Sequence, residues 1–220
     1  MQFKVKENLS VIQEEIAPYK PNIIAVTKYF DEVAIEEAYQ AGMRDFAESR
    51  AIEAIEKIGR LPEDVRKNST FHFIGHLQSN KVKKVVEHFD LIHSIDTLRI
   101  AGLVSEASKA IGKVQRVLLQ LNNAGEIQKS GFSKEELFEV FSEIIKLDGV
   151  KVEGLMCMTP LGADENVLRT LFEEVRETRD VLEKQFNCNM KELSMGMSQD
   201  YKIAAQTGAT MLRIGRKLFG

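Results

Sequence analysis

Short apolar runs alternate with longer amphipathic stretches along almost the whole chain, and this alternation most narrows the folds open to it. Strands are expected at 23–27, 44–47, 70–74, 91–94, 116–121, 151–156, 192–195 and 211–214. Helix-like segments separate them at 31–41, 50–58, 79–87, 97–110, 134–147, 165–185 and 200–206. An opening amphipathic stretch from Val5 to Ala17 ends at the helix breakers Pro18 and Pro21. Ser133 before Lys134-Glu135-Glu136 has the form of a capping box. Gly42, Gly59, Gly112, Gly149 and Gly208 stand where helix C-termini are expected to place a glycine.

Strand and helix in strict alternation imply a parallel sheet covered by helices. Eight such units allow closure into a (β/α)8 TIM barrel, and 220 residues lie at the short end of that fold's range. A doubly wound open sheet is the rival. It usually carries a glycine-rich turn after an early strand, whereas the turn here is Thr27-Lys28-Tyr29-Phe30. No linker or low-complexity tract divides the chain, so residues 1–220 are expected to form one domain.

Charge and composition exclude several functions. A net charge of −3 and a pI near 5.9 give no electrostatic case for a nucleic-acid or anionic-membrane binder. No apolar run approaches the roughly 18 residues of a membrane span. Cys157 and Cys188 make no disulfide framework, and a cytoplasmic location is expected. His72, His76, His88 and His93 are too scattered for a zinc set, so no metal is expected.

In a barrel the active site is built from the loops that follow the strands. Here those loops contribute Lys28, Glu48-Ser49-Arg50, Gly75-His76, Ser94, Asn122-Asn123, Met156 to Pro160, Gly196-Met197-Ser198 and Arg213-Ile214-Gly215. They hold no pair of aspartates and no histidine–carboxylate cluster, which argues against glycosidase or metal-hydrolase chemistry. Lys28 ends the first strand, where desolvation would favour a neutral amine able to attack an aldehyde. Ser198 is expected to cap the helix after strand seven, and Gly215 follows strand eight. Together they resemble a phosphate cradle. Arg213 lies between Leu212 and Ile214 and is expected to point into the barrel mouth, with pairing to Glu192 or Asp200 as the alternative. Beside a pyridine ring, an arginine keeps the ring nitrogen unprotonated and the ring a poor electron sink.

These residues fall into motifs. Ala25-Val26-Thr27-Lys28, the run from Phe71 to Lys81 (FHFIGHLQSNK), Glu126 with Lys129, Gly131 and Phe132, Gly154-Leu155-Met156 with Pro160, and Leu193 to Asp200 (LSMGMSQD) occur in that order. Arg213-Ile214-Gly215 and Leu218-Phe219-Gly220 complete the set. The chain resembles the pyridoxal 5′-phosphate homeostasis proteins (the YggS/PROSC family), which share the barrel of alanine racemase's N-terminal domain, a fold type III cofactor barrel. The resemblance implies that Lys28 holds the cofactor as an internal aldimine, Ser198 and Gly215 bind its phosphate, and Arg213 faces the pyridine nitrogen. It also implies that Met195 and Gly196 shape the pocket floor, with Asn122 and Met156 nearby. Family members generally show no robust catalysis and buffer or deliver the cofactor, so apoenzymes become candidate partners. A monomer is expected because one compact barrel carries the whole site. A racemase or lyase of the same fold, or a cofactor-free Schiff-base aldolase, remain the alternatives. Ser49 stands where the family carries an asparagine near the ring, Phe71 where it carries tryptophan, and Phe30 where many members carry a second lysine.

Overall fold

The computed structural model describes residues 3–125 and 130–220. Eight parallel strands close into a barrel in chain order: β1 (Asn22–Val26), β2 (Asp45–Glu48), β3 (Thr70–Phe73), β4 (Leu91–Ile95), β5 (Gln115–Leu121), β6 (Val150–Cys157), β7 (Glu192–Met197) and β8 (Met211–Ile214). Pairing of Ile24 with Arg213 and of Ala25 with Ile214 joins β1 to β8 and leaves no sheet edge. The outer layer contains α1 (Val5–Glu15), α2 (Glu32–Gln40), α3 (Ala51–Arg60), α4 (Glu63–Lys67), α5 (Val82–His88), α6 (Leu98–Ala110), α7 (Lys134–Ile144), α8 (Glu165–Phe186), α9 (Tyr201–Gln206) and α10 (Arg216–Phe219).

The barrel reading therefore holds, with strand ends moved by one or two residues in places. The helix expected over 79–87 divides into a 3-10 turn, Ser79–Lys81, followed by α5. Gly59 does not end α3. The helix runs on to Arg60 and stops at Leu61, the residue before Pro62, where the proline ring disfavours helical geometry. The short α4, which begins after that proline, was not expected from the sequence. Ser133 does form the capping box: its Oγ accepts from the Glu136 amide, and the Glu136 carboxylate accepts from the Ser133 amide.

Two apolar layers hold the barrel. The larger fills the space between sheet and helices, with Phe46, Phe73, Phe141 and Phe172 fully buried in it. The smaller lies inside the barrel and consists of Ile24, Val26, Ala47, Leu91, Leu118, Met156 and Met211. These residues alternate with outward-facing neighbours, as the period of a strand requires.

A buried ion pair in the outer layer fixes the end of β1. Lys57 Nζ donates to Glu48 Oε1 at 2.6 Å and to the Thr27 carbonyl at 2.9 Å, while Thr27 Oγ1 donates to the same carboxylate at 2.7 Å. Lys57 lies on the buried stripe of α3 with Ala51 and Ala54, so this helix presses a cation onto the strand-one turn. Removing one partner leaves the other buried without its counter-charge. Lys57→Met is expected to cost about 3–5 kcal/mol of stability, and a Glu48→Gln/Lys57→Met pair should recover most of that. Denaturant midpoints check this; a single-variant loss below about 1 kcal/mol would place the pair among ordinary surface bridges.

Candidate cofactor site at the barrel mouth

The C-terminal ends of β7, β8 and β1 lie side by side, and they carry most of the residues singled out above. Lys28 follows β1 in a turn, half-buried, and Nζ lies 5.1 Å from the centre of the exposed Tyr29 ring, which attracts the ammonium. It borders a cavity of about 390 Å³ shared with Glu48, Arg50 and Lys57. Just before Lys28, Thr27 is tied to β2 by its amide, which donates to the Ala47 carbonyl at 3.1 Å. The amine thus stands on a rigid base and keeps a free end.

Arg213 is buried and points inward. Nη1 donates to Ser194 Oγ at 2.6 Å and Nη2 to the Cys157 carbonyl at 2.8 Å. Pairing with Glu192 or Asp200 does not occur. Asp200 is engaged by the Met197 amide and by Thr159 Oγ1, both at 2.5 Å, and Glu192 accepts from Thr210 Oγ1. These contacts take two of the five guanidinium donors and leave others for a ligand. Burial pushes the guanidinium below its usual range, and the Cys157 and Asp200 side chains pull it back up. Arginine starts so far above neutrality that it keeps its charge. The neighbouring Cys157 thiol is pushed up to about 12 by burial, so it stays protonated and inert.

Ser198 does not cap the following helix. That helix starts at Tyr201 with Asp200 before it, and the Asp200 carboxylate closes the turn instead. The Ser198 hydroxyl instead reaches α10, where it accepts from the Lys217 amide at 3.3 Å. This brings Ser198, Gly215 and the start of α10 together, the arrangement an anion needs. One glycine lets β7 pack closely on α9, and a second keeps the cradle open. Gly196 has φ +91°, and a Cβ there would come within 2.5 Å of Ala204 Cβ. At Gly215 a Cβ would press to 3.3 Å from the Val26 carbonyl oxygen, filling the cradle next to β1.

The remaining residues are less alike in placement. Met156 is buried in the interior cluster below the mouth. Ser49 and Asn122 are half-buried beyond β2 and β5, and the Asn122 amide donates to the Phe132 carbonyl at 2.8 Å. Met195 is different: it packs with Leu193 in the sheet–helix layer, so its side chain does not line the interior. Glu126 and Lys129 lie outside the described residues. Among the described residues no group of three or more His, Cys, Asp or Glu is arranged to hold a metal, and no helix is long and apolar enough to cross a membrane.

Sequence reasoning did not reach the contacts that support this site. Lys57 could have been noticed as a lysine on the apolar stripe of an amphipathic helix, and Ser194 as a hydroxyl alternating with Leu193 and Met195. Asp200 could not: its bond to Thr159 joins loops 41 residues apart.

Known proteins share this architecture over the full length of the chain. The family model for the alanine racemase N-terminal domain matches residues 3–220. The pyridoxal phosphate homeostasis protein of Synechocystis is 42% identical over 213 residues, covering 96% of this chain and 97% of the relative. PipY of Synechococcus elongatus, solved without pyridoxal phosphate, superposes with a TM-score of 0.93 at 36% identity, covering 99% of this chain and all of the other. The same protein solved with pyridoxal phosphate bound gives 0.89 at 35%. An alanine racemase of Clostridium difficile shares the fold alone, at 17% identity and a TM-score of 0.78 over 56% of its length. Sequence and fold together place the chain in the alanine racemase N-terminal domain family and, within it, among the pyridoxal phosphate homeostasis proteins.

Proposed function

We propose that this protein binds pyridoxal 5′-phosphate and serves its intracellular homeostasis, holding the cofactor on Lys28 and exchanging it with apoenzymes or solution. When bound, the cofactor supplies an aldehyde that condenses with a primary amine, and a ring that withdraws electrons strongly only when its nitrogen is protonated. The observation that carries the reading is the convergence, on three adjacent strands, of an amine, a cradle kept open by glycine and a buried guanidinium.

Each residue has a role that its surroundings support. Lys28 tethers the aldehyde carbon. Ser198 and the backbone beside Gly215 take the phosphate, with the Ser198 hydroxyl exchanging the Lys217 amide for an anionic oxygen. Arg213 keeps its positive charge towards the ring nitrogen, and that charge discourages a proton there. Met156 and the backbone at Gly196 shape the floor. Ser49 and Asn122 border the ring from β2 and β5, with the shorter Ser49 filling less of its side.

The same features disfavour turnover. A racemase needs a second acid–base group across the ring. Tyr201 is bonded to Glu15, Tyr39 lies against Arg44 and Tyr19 borders a cavity at the opposite end of the barrel. Tyr29 turns outward beside Lys28. We further propose that residues 1–220 work as one domain, as a monomer, in the cytoplasm, where the unpaired Cys157 and Cys188 stay reduced.

Mixing the protein with pyridoxal 5′-phosphate is expected to give a visible absorption band, which Lys28→Ala should abolish. A retained band would move the tether elsewhere, and enzyme-like racemisation by the native chain would favour the racemase reading. Ser198→Ala is expected to weaken uptake of the phosphorylated cofactor about tenfold or more, the worth of one hydrogen bond to a charged group. Uptake of unphosphorylated pyridoxal should be unchanged, and equal losses for both would remove Ser198 from the cradle.

A further inference from the structure

Five polar side chains run through the barrel in unbroken contact. Asp45 Oδ1 lies 2.9 Å from His72 Nε2, His72 Nδ1 lies 2.9 Å from His93 Nε2, and His93 Nδ1 lies 2.8 Å from Ser194 Oγ. Ser194 Oγ then accepts from Arg213. The register shows that the path climbs. Asp45 opens β2, His72 pairs with Ala47 two residues further on, and His93 lies two residues beyond Leu91, the β4 partner of His72. From His93 the path crosses the barrel to β7, and Arg213 lies two residues beyond Met211, the β8 partner of Ser194.

With one proton on each imidazole, the path has a single direction. A carboxylate can only accept, so His72 must present Nε2–H to Asp45. With one proton on its ring, His72 has a bare Nδ1, and that atom can only accept from His93 Nε2–H. Burial, together with the Arg213 and Arg116 charges, pushes His93 well below its usual range, so this ring is neutral and its Nδ1 is bare. Ser194 therefore donates to His93 and accepts from Arg213, and every member is satisfied. At the lower end burial pushes the Asp45 carboxyl up, but its hydrogen bonds to His72 and Asn22, with the Arg116 charge nearby, outweigh this and hold it below its usual range. Aligned hydrogen bonds polarise one another in a dry interior, so an acceptor at one end strengthens the grip on the donor at the other.

We propose that Asp45, His72, His93 and Ser194 act as positioning residues, a one-way hydrogen-bond relay that holds the Arg213 guanidinium at the cofactor's ring nitrogen. This rests on the binding mode argued under Proposed function. Burial obliges each of these groups to find a partner, and here the partners join end to end from Asp45 to Arg213. The lower terminus is a partly exposed carboxylate bordering a cavity of about 560 Å³ at the far end of the barrel.

Two measurements test the relay. In the cofactor-free protein, long-range nitrogen–proton NMR of labelled histidine is expected to show both His72 and His93 protonated at Nε2; an Nδ1–H form of either ring overturns the direction. In protein loaded with ring-15N pyridoxal 5′-phosphate, the native ring nitrogen is expected to be a neutral pyridine. Ser194→Ala should raise its titration midpoint by about one pH unit or more, Asp45→Leu by less, and Ser194→Thr and Asp45→Asn, which keep an acceptor, should restore the native value. Native values throughout the broken variants would reduce the relay to core filling. If the native chain took up no cofactor, the binding reading would fall while the histidine measurement still decided the direction. Should Ser194→Ala not fold, that measurement and the Thr and Asn variants still decide the matter.

Discussion

A parallel sheet closed on itself has no edge, and whatever points into it must find its partners there. Everything at the mouth follows from that constraint. Apolar side chains fill most of the interior, so a guanidinium inside it survives only if hydrogen bonds take the place of water. Ser194 and the Cys157 carbonyl do so for Arg213, and the histidines below satisfy Ser194 in turn. The position of the arginine is therefore a property of the whole barrel cross-section.

A second constraint acts from outside the barrel. The Lys57–Glu48 pair grips the backbone immediately before Lys28, while the lysine itself is left half-buried against an exposed ring. A rigid base with a half-buried amine suits the role proposed for Lys28, receiving an aldehyde and later releasing it. In the proposed binding mode Arg213 is the cationic neighbour of the ring nitrogen, and holding is then favoured over chemistry because an unprotonated ring delocalises a carbanion poorly.

Much of this was legible in the sequence because it is local. Apolar period and punctuation exposed all eight strands, and the residues at their C-terminal ends included Lys28, Ser198, Arg213 and Gly215. Errors arose where two local signals competed. Gly59 looked like a helix stop, but Pro62 set the limit; Ser198 looked like a cap, but Asp200 closed the turn. Met195 was drawn to the pocket by its motif, although strand alternation sends its side chain outward. The supporting contacts were invisible for another reason: His93 and Ser194 are 101 residues apart on strands that are not neighbours, so only closure brings them together.

The central claim is that one amine, Lys28, meets the cofactor aldehyde at this mouth. It is tested most directly by treating the protein with pyridoxal 5′-phosphate, reducing with borohydride and mapping the adduct by mass. The account expects one stoichiometric label, on Lys28. A label on Lys57, Lys217 or any other lysine, or none, would contradict it.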